Sequence, residues 1–486
     1  MIPSTAIHSD AGTSGRPLRR ALRAAARLAA VGAAAGFGIL SLAPGALSGG
    51  REGPTQELRG ELAREGFTGR IESTLPQRLG RPVNTRLANL GRLLWFDTVT
   101  GLNGDNTCAG CHSPTNGFGD TQPIAIGIEN NGIVGPDRRG PRNMRRAPMV
   151  LNTAFFPALM WNSRFAALSG DPFDNGGGFV FPPPEGITLS DEPHLLVAQA
   201  FIPPTERTEV AGFDFHGDND AIRAEVAHRL DAVPEYRRLF AEIFPSIRSG
   251  APIAFPMFAR AIAEFEFSLT LANAPIDRFA RGEIGALSPA EKRGGLLFFG
   301  KAGCSACHSV SGASNQMFTD FRTHSIAVPQ LVPRVTNNQF DGRAADEDFG
   351  RLETTGDASD RYAFRTPSLR NVAVEAAYMH DGAFTSLRAA VKHHFDVRDS
   401  LLSYDPAAQG LPFDLVGPIG PVWPLLDSVD PLVSVPRELT TGELNDLIAF
   451  VGRGLLDPRA LPSRLRTLVP KTLPSGRQPL TFEFAR

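Results

Sequence analysis

The chain has 486 residues, of which 49 are lysine or arginine and 51 are aspartate or glutamate, so its formal net charge is −2 at pH 7. This near balance excludes the strongly basic character typical of nucleic-acid-binding proteins, and it gives no reason to expect an acidic membrane surface as a partner. The 49 glycines and 40 prolines indicate that much of the chain forms loops.

The first fifty residues follow the order of a secretory signal peptide. Several arginines precede an apolar run over residues 28–43, and small residues follow the run. We predict a cleaved signal peptide over residues 1–48, export to the periplasm, and a linker over residues 49–79. Because the apolar run is short and rich in alanine and glycine, we expect no stable membrane anchor.

All four cysteines lie in two copies of a CxxCH motif. The first copy contains Cys108, Cys111 and His112, and the second contains Cys304, Cys307 and His308. This motif is typical of c-type haem attachment, because two thiols at that spacing can bond to the haem while the histidine ligates the iron. A thioredoxin-like redox pair or half of a zinc site would not explain a histidine directly after both pairs. The sequence therefore predicts two covalently bound c-type haems.

Similar apolar segments, LLWFD and LLFFG, precede the two motifs. We interpret this similarity as a duplication in which an apolar helix leads into each CxxCH motif. Ser288 and Glu291 predict a capping box at the start of the second of these helices. Thr440 and Glu443 predict another capping box at the start of a closing helix.

These features predict a mainly α-helical protein of two cytochrome c-like haem domains with long Gly/Pro-rich loops. We assign the N-terminal domain to residues 80–285, the C-terminal domain to residues 286–460 and a tail to residues 461–486. Two stretches rich in proline, residues 170–193 and 405–436, are expected to be surface loops. Long loops of this kind often serve as lids or docking surfaces.

Two further strings, FRTPSLRN at residues 364–371 and YMHDG at residues 378–382, accompany the haem motifs. Together these features resemble the bacterial di-haem cytochrome c peroxidase family, which includes the MauG-like enzymes. The resemblance spans roughly residues 80–455. It implies that the haem ligated by His112 reacts with hydrogen peroxide and that the haem ligated by His308 transfers electrons.

The resemblance also implies a catalytic pocket and an electron relay. Gln199, Pro203 and Glu209 have the spacing of the family's pocket residues, and Trp161 corresponds to the tryptophan between the family's haems. A carboxylate above a haem can move a proton from one peroxide oxygen to the other, which gives Glu209 a catalytic role. The alternative is that Glu209 lies on a solvated loop.

A second ligand to the C-terminal haem is implied fourteen residues beyond His380, at His394. Ligation by two histidines would lower the haem potential relative to a histidine–methionine pair. His393 is the main competitor of His394, and Met379 is a weaker one. We expect His380 itself to form a hydrogen bond near the haem rather than to ligate the iron.

The N-terminal haem is expected to be open to peroxide. Many relatives block its iron with a second histidine, but the chain has no histidine between His112 and His194. Met144, Met149 and Met160 are alternative sixth ligands, although methionines more often fill a core.

The resemblance further implies a calcium ion between the haems. Asn143 is the candidate side-chain ligand, with backbone carbonyl ligands near Glu375 and Ala377. Arg365 and Arg370 are candidates for binding haem propionates, and a solvated face is the alternative for both. The five arginines between residues 138 and 146 have the same two interpretations, and they could also dock an acidic partner.

The most favoured function is therefore an exported di-haem oxidoreductase that reduces hydrogen peroxide. Its electrons would come from a small redox protein, such as a c-type cytochrome or a cupredoxin, or from a side chain of a protein substrate that becomes oxidised, as in MauG-like enzymes. One alternative is a di-haem electron carrier in which Glu209 is incidental. Another is an oxygen-activating enzyme similar to the di-haem rubber oxygenases.

Overall fold

The computed structural model describes residues 53–180, 189, 192–335 and 347–484. The predicted signal peptide lies outside the described residues. The helices are α1 (Pro54–Arg64), α2 (Leu75–Arg78), α3 (Thr85–Phe96), α4 (Cys108–Cys111), α5 (Leu195–Gln199), α6 (Asn219–Asp231), α7 (Pro234–Ile243), α8 (Pro245–Arg248), α9 (Phe255–Ser268), α10 (Pro275–Ala280), α11 (Pro289–Phe299), α12 (Leu352–Thr355), α13 (Leu387–His393), α14 (Val397–Leu402), α15 (Val422–Asp427), α16 (Thr441–Ala449) and α17 (Pro462–Leu465).

The strands are short, and β2, β3 and β4 contribute buried residues to the core. They are β1 (Ile133–Val134), β2 (Ala158–Leu159), β3 (Phe165–Ala167), β4 (Phe179–Val180), β5 (Thr323–His324), β6 (Phe364–Arg365) and β7 (Thr481–Phe482). β2, β3 and β4 form an antiparallel sheet, β5 pairs antiparallel with β6, and β1 pairs parallel with β7. The predicted mainly helical fold is confirmed.

The two CxxCH motifs follow equivalent helix crossings. α3 precedes the first motif and packs against α9, and α11 precedes the second motif and packs against α16. Both predicted capping boxes are present: Ser288 with Glu291 begins α11, and Thr440 with Glu443 begins α16. Each capping box satisfies backbone N–H groups that have no partner within the helix.

A glycine lies at the contact point of each crossing. A Cβ atom on Gly91 of α3 would lie 1.8 Å from the backbone oxygen of Ala261, and one on Gly294 of α11 would lie 2.0 Å from that of Asp446. Since a backbone carbonyl cannot move aside as a flexible side chain can, only glycine permits this approach. Gly91 and Gly294 also occupy the same position relative to the LLWF and LLFF segments.

Gly294→Ala is expected to lower the free energy of unfolding by about 1–3 kcal/mol, because the added methyl group forces α11 and α16 apart. The matched control is Gly60→Ala in α1, where the new Cβ atom would meet only the end of the Arg64 side chain at 3.7 Å. There the substitution is expected to be neutral or to stabilise by up to about 1 kcal/mol. Thermal unfolding of both variants measures the difference, and equal stability would contradict the steric argument.

The sequence interpretation makes residues 49–79 a linker and residues 461–486 a tail, but in their described parts, residues 53–79 and 461–484, the packing corrects it. Leu58 and Leu62 of α1 are buried in the core around α11 and α16. At the other end, Leu465 and Leu473 join the core of the first haem region. Both segments are held in place because they cover apolar surface that would otherwise face water.

The first predicted loop is partly folded into the core. β4 pairs with β3, and Phe179 is buried, so residues 170–180 are not a simple surface loop. Residues 181–188, 190 and 191 lie outside the described residues. In the second predicted loop, α15 contributes the buried Leu425 to a small apolar cluster. In the described part of the chain, no helix is both long and apolar enough to cross a membrane.

Candidate functional site

The first CxxCH motif places its histidine in the neutral form that ligates iron. His112 follows α4 directly, and its Nδ1 donates a hydrogen bond to the backbone oxygen of Pro148 at 2.9 Å. Burial lowers the pKa of His112 to about 4, so the ring is uncharged at neutral pH. The hydrogen bond at Nδ1 leaves Nε2 available as the ligand atom.

The predicted pocket residues lie together in the cavity beside His112. Gln199, Pro203 and Glu209 all line this cavity, as does Trp161. Gln199 is the last residue of α5, Pro203 begins a short 3₁₀ turn, and Glu209 lies in a π-helical segment over Arg207–Ala211. The structure therefore brings together residues that are up to 97 positions apart in the sequence, from His112 to Glu209.

Trp161 lines this cavity and contacts Arg146 and Arg365. Its indole Nε1 donates to the backbone oxygen of Arg146 at 2.9 Å, and its own backbone oxygen accepts from the backbone N–H of Arg365 at 2.6 Å. The side chain is buried. The hydrogen bond at Nε1 orients the indole, and the contact with Arg365 holds the backbone of Trp161 in place.

Arg365 is a buried cation at the edge of the same cavity. Its guanidinium donates to the backbone oxygens of Met160 at 2.9 Å and Thr366 at 3.3 Å, and among the described residues no carboxylate pairs with it. Burial lowers the pKa of Arg365 to about 10. A buried charge is costly without a counter-charge, so this position suits an anion such as a haem propionate. The residues present thus fit a haem in the cavity.

The second CxxCH motif places two histidines opposite each other. His308 donates from Nδ1 to the backbone oxygen of Phe318 at 3.0 Å, and His394 donates from Nδ1 to that of Ala390 at 2.8 Å. Their ring centres are 6.4 Å apart. Two imidazoles on opposite sides of one metal ion place their ring centres about 6 Å apart, given metal–nitrogen bonds of about 2 Å. His308 and His394 are therefore spaced so that both could hold the iron of a haem attached at this motif.

His393, the competitor of His394, has no nitrogen left for a metal. Its Nδ1 lies 2.9 Å from the hydroxyl of Ser400, and its Nε2 lies 2.7 Å from the backbone oxygen of Ile326. The ring is fully buried. These contacts give His393 a structural role.

His380 and Arg370 are also committed to contacts within the protein. The ring of His380 stacks on Phe364 with 3.6 Å between ring centres, and its Nε2 lies 3.8 Å from Asp348, beyond hydrogen-bonding distance. The expected side-chain hydrogen bond of His380 is therefore replaced by stacking. Arg370 forms a fully buried ion pair with both carboxylate oxygens of Asp277 at 2.8 and 2.9 Å. Its charge is neutralised by Asp277, so it has no need of a propionate.

The basic run at residues 138–146 is not a solvated face. Arg138 and Arg142 are buried, and Arg142 pairs with Asp414. Arg145 pairs with Asp348 and Glu353, and Arg146 pairs with Glu375. Only Arg139 among the five is largely exposed, with 78% of its side chain accessible. These arginines join segments that are distant in sequence, which charge counting cannot reveal.

The calcium ligands predicted from the sequence meet only in part. The Oδ1 atom of Asn143 is buried and has no hydrogen-bond partner among the described residues, as a cation ligand would. However, the backbone oxygen of Ala377 already accepts a hydrogen bond from the guanidinium of Arg146. Arg146 also pairs with Glu375 at 2.6 Å. The guanidinium of Arg146 thus occupies the carbonyl oxygen of Ala377, which was the predicted calcium ligand. A positively charged group at this position does not fit a calcium ion.

Among the cavity residues that the sequence analysis did not predict is a buried glutamate of α9. Glu266 lines the cavity from α9, and its Oε2 is buried without a hydrogen-bond partner among the described residues. The only sequence signal is its position eight residues after Phe258 and four after Ile262, on one face of a helix that is otherwise apolar there.

The chain is similar in sequence to known proteins. The profile of the family described as di-haem cytochrome c peroxidase matches residues 85–285. Methylamine utilization protein MauG of Methylorubrum extorquens is 32% identical over 328 residues, which cover 67% of this chain and 73% of the relative. Cytochrome c551 peroxidase of Pseudomonas aeruginosa is 28% identical over 321 residues, which cover 66% of this chain and 75% of the relative.

Solved structures have the same fold. A MauG-like protein associated with microbial copper homeostasis has a TM-score of 0.55 and 25% identity, covering 78% of this chain and 91% of its own. The diheme peroxidase BthA from Burkholderia thailandensis, at 24% identity and a TM-score of 0.52, supports the fold alone. With two haem motifs and a relative above 30% identity, the chain belongs to the di-haem cytochrome c peroxidase family and is an oxidoreductase of that type.

Proposed function

We propose that this protein is a periplasmic di-haem c-type peroxidase that reduces hydrogen peroxide. The main support for this proposal is that Glu209 and Gln199 line the same cavity as His112. Electrons come either from a small redox protein, such as a c-type cytochrome or cupredoxin, or from a side chain of a protein substrate that becomes oxidised, as in a MauG-like enzyme. The MauG relative and the two-histidine arrangement at the second site favour the latter.

Two haems bound at the CxxCH motifs supply the redox chemistry. Cys108 and Cys111 would attach the first haem, Cys304 and Cys307 would attach the second, and His112, His308 and His394 would supply the protein ligands to iron. Arg365 offers its uncompensated charge to a propionate.

The chain's own residues handle the peroxide. Gln199 donates a hydrogen bond that holds the peroxide, and Pro203 keeps the turn beside it rigid. Glu209 takes a proton from one peroxide oxygen and delivers it to the other, so that the departing oxygen leaves as water. Trp161, which is fixed by its bond to Arg146, relays an electron from the second haem region.

The first cavity is proposed to accept peroxide without prior reduction. Residues 113–193 contain no histidine that could block the iron. Met144, Met149 and Met160 line the cavity and remain the alternative ligands.

Calcium is not part of the proposed site. Treatment with a calcium chelator is therefore expected to change neither the absorption spectrum nor the rate of peroxide turnover, since Arg146 already bonds to Ala377. Metal analysis of the purified protein checks this expectation. One calcium ion per chain that survives dialysis, together with loss of turnover on its removal, would contradict it.

The function is tested by adding one equivalent of hydrogen peroxide to the fully ferric protein and following its absorption and EPR spectra. Rapid loss of the ferric high-spin signal, with an oxidised state shared by both haems, supports the open enzyme. Reaction only after one haem is reduced indicates a methionine ligand and a reductively activated peroxidase. No reaction in either state overturns the proposal in favour of an electron carrier.

A further inference from the structure

Two buried glutamates of α9 differ in their surroundings. Glu264 receives two hydrogen bonds from Arg81, at 2.7 and 2.6 Å, and another from the backbone N–H of Asn84. Glu266 has a buried Oε2 without a hydrogen-bond partner in the described part of the chain. The carboxylate of Glu264 is thus compensated by a cation, whereas burial of Glu266 has no such structural explanation.

Glu266 lines the same cavity as His112, Gln199 and Glu209. Phe258, Ile262 and Glu266 follow one another at four-residue intervals and line the His112 cavity from one face of α9. Burial raises the pKa of the Cys108 thiol, and Glu266 and Glu209 both lie near enough for their negative charges, when ionised, to raise it further.

The charged groups around the cavity leave Glu266 uncompensated. The cavity is lined by Arg145, Arg146, Arg164, Arg365, Glu206, Glu209, Glu353 and His112. Arg145 pairs with Asp348 and Glu353, Arg146 with Glu375, and Arg164 with Glu206. Arg365 donates to backbone oxygens, and His112 is neutral. Trp95 of α3 also lines this cavity and carries no charge.

Burial alone raises the pKa of Glu266 to about 8. The raised pKa means that the acid keeps its proton at neutral pH and loses it above pH 8. The group also responds to charge, because added positive charge in the cavity lowers the cost of ionising it.

We propose that Glu266 stores a proton for peroxide reduction. The reaction H₂O₂ + 2e⁻ + 2H⁺ → 2H₂O consumes two protons, and Glu209 only moves a proton between the two oxygens. Glu266 releases one of the two protons from its carboxylic acid and becomes a carboxylate, and solvent supplies the other and later restores the acid. This role rests on the proposed peroxidase function, but the acid itself and its coupling to the first haem do not.

The first test measures the acid and its coupling without peroxide. Infrared spectra of the wild type are expected to contain a protonated-carboxyl band that disappears as the pH rises through 8 and is absent from Glu266→Gln. In the same proteins, the equilibrium constant for reducing the first haem is expected to change by up to about tenfold per pH unit in this range, which a potentiometric titration measures. Glu266→Gln should lose most of that dependence, and Glu266→Asp should restore it.

Glu264→Gln on the same helix is the control. It breaks the ion pair with Arg81 and should lower thermal stability, but it should leave the infrared band and the pH dependence of the potential unchanged. An identical band and identical pH dependence in wild type and Glu266→Gln would overturn the proposal.

Turnover separates this proposal from the peroxidase function. If the wild type consumes peroxide, Glu266→Gln should slow it about 10²-fold near neutral pH and change its pH profile. A wild type that shows the band and the coupled potential but no peroxide reaction would refute the peroxidase function and leave Glu266 as a redox-coupled acid. A variant with wild-type turnover and an unchanged pH profile would refute the proton-storing role while the peroxidase function stands.

Discussion

Glu209→Gln is expected to lower peroxide turnover by about 10²–10⁴-fold while both haems stay attached. The amide keeps the size of the side chain but cannot accept a proton from the peroxide. The backbone of this segment should stay in place, because Asn106 donates to the backbone oxygen of Glu209 at 2.8 Å rather than to its side chain. Steady-state peroxide consumption and the rate of loss of the ferric signal both measure the effect.

Glu206→Gln is the matched control for this variant. Glu206 lines the same cavity three residues earlier, but its carboxylate pairs with Arg164 at 3.2 Å. We expect its replacement to change turnover only a few-fold, because exposed or half-exposed ion pairs contribute about 1 kcal/mol or less. If Glu209→Gln keeps wild-type turnover, Glu209 is incidental to peroxide reduction. If wild type and variant share the same electron-transfer rates and neither consumes peroxide, the chain is better described as an electron carrier.

His394→Ala is expected to convert the second haem from a low-spin to a high-spin ferric state and to raise its reduction potential. The variant removes the imidazole whose ring centre lies 6.4 Å from that of His308. Loss of one of the two histidine ligands weakens the ligand field at the iron and destabilises its oxidised state. EPR and absorption spectra report the spin state, and a potentiometric titration reports the potential.

His393→Gln is the control for that experiment. His393 is adjacent in sequence, but Ser400 and the backbone oxygen of Ile326 occupy its two nitrogens. We expect the second haem to remain low-spin and the protein to lose about 1–3 kcal/mol of stability, because buried hydrogen-bonding groups lose their partner. The reverse pattern, with a spin change only in His393→Gln, would assign the ligand to His393.

Several features could be predicted from the sequence because their chemistry is local. The CxxCH motif contains both the attachment thiols and the axial histidine within five consecutive residues, so it predicts a haem whatever the fold. The capping boxes at Ser288 and Thr440 are equally local, because the capping side chain and its backbone partner are three residues apart. The family resemblance rested on short segments of the same kind, the two CxxCH motifs, residues 364–371 and residues 378–382.

The function of each charged residue required the tertiary structure. Charge counting treats the arginines of residues 138–146 alike, yet Arg142 is buried against Asp414, 272 positions away, while Arg139 is exposed. Glu264 and Glu266 are two residues apart, but their surroundings differ. Arg81, which is distant in sequence, compensates the charge of Glu264, whereas Glu266 Oε2 has no hydrogen-bond partner among the described residues. Burial and counter-charges depend on segments that meet through folding, so they cannot be derived from local sequence.

The sequence by itself determined that this protein carries two haem motifs on a duplicated helical framework, because attachment chemistry and helix capping act within a few residues. Only the tertiary structure decided that His394 rather than His393 faces His308, and that Leu58 and Leu62 of α1 belong to the core. The physical reason is that the availability of a nitrogen and the burial of a leucine depend on which distant groups lie beside them.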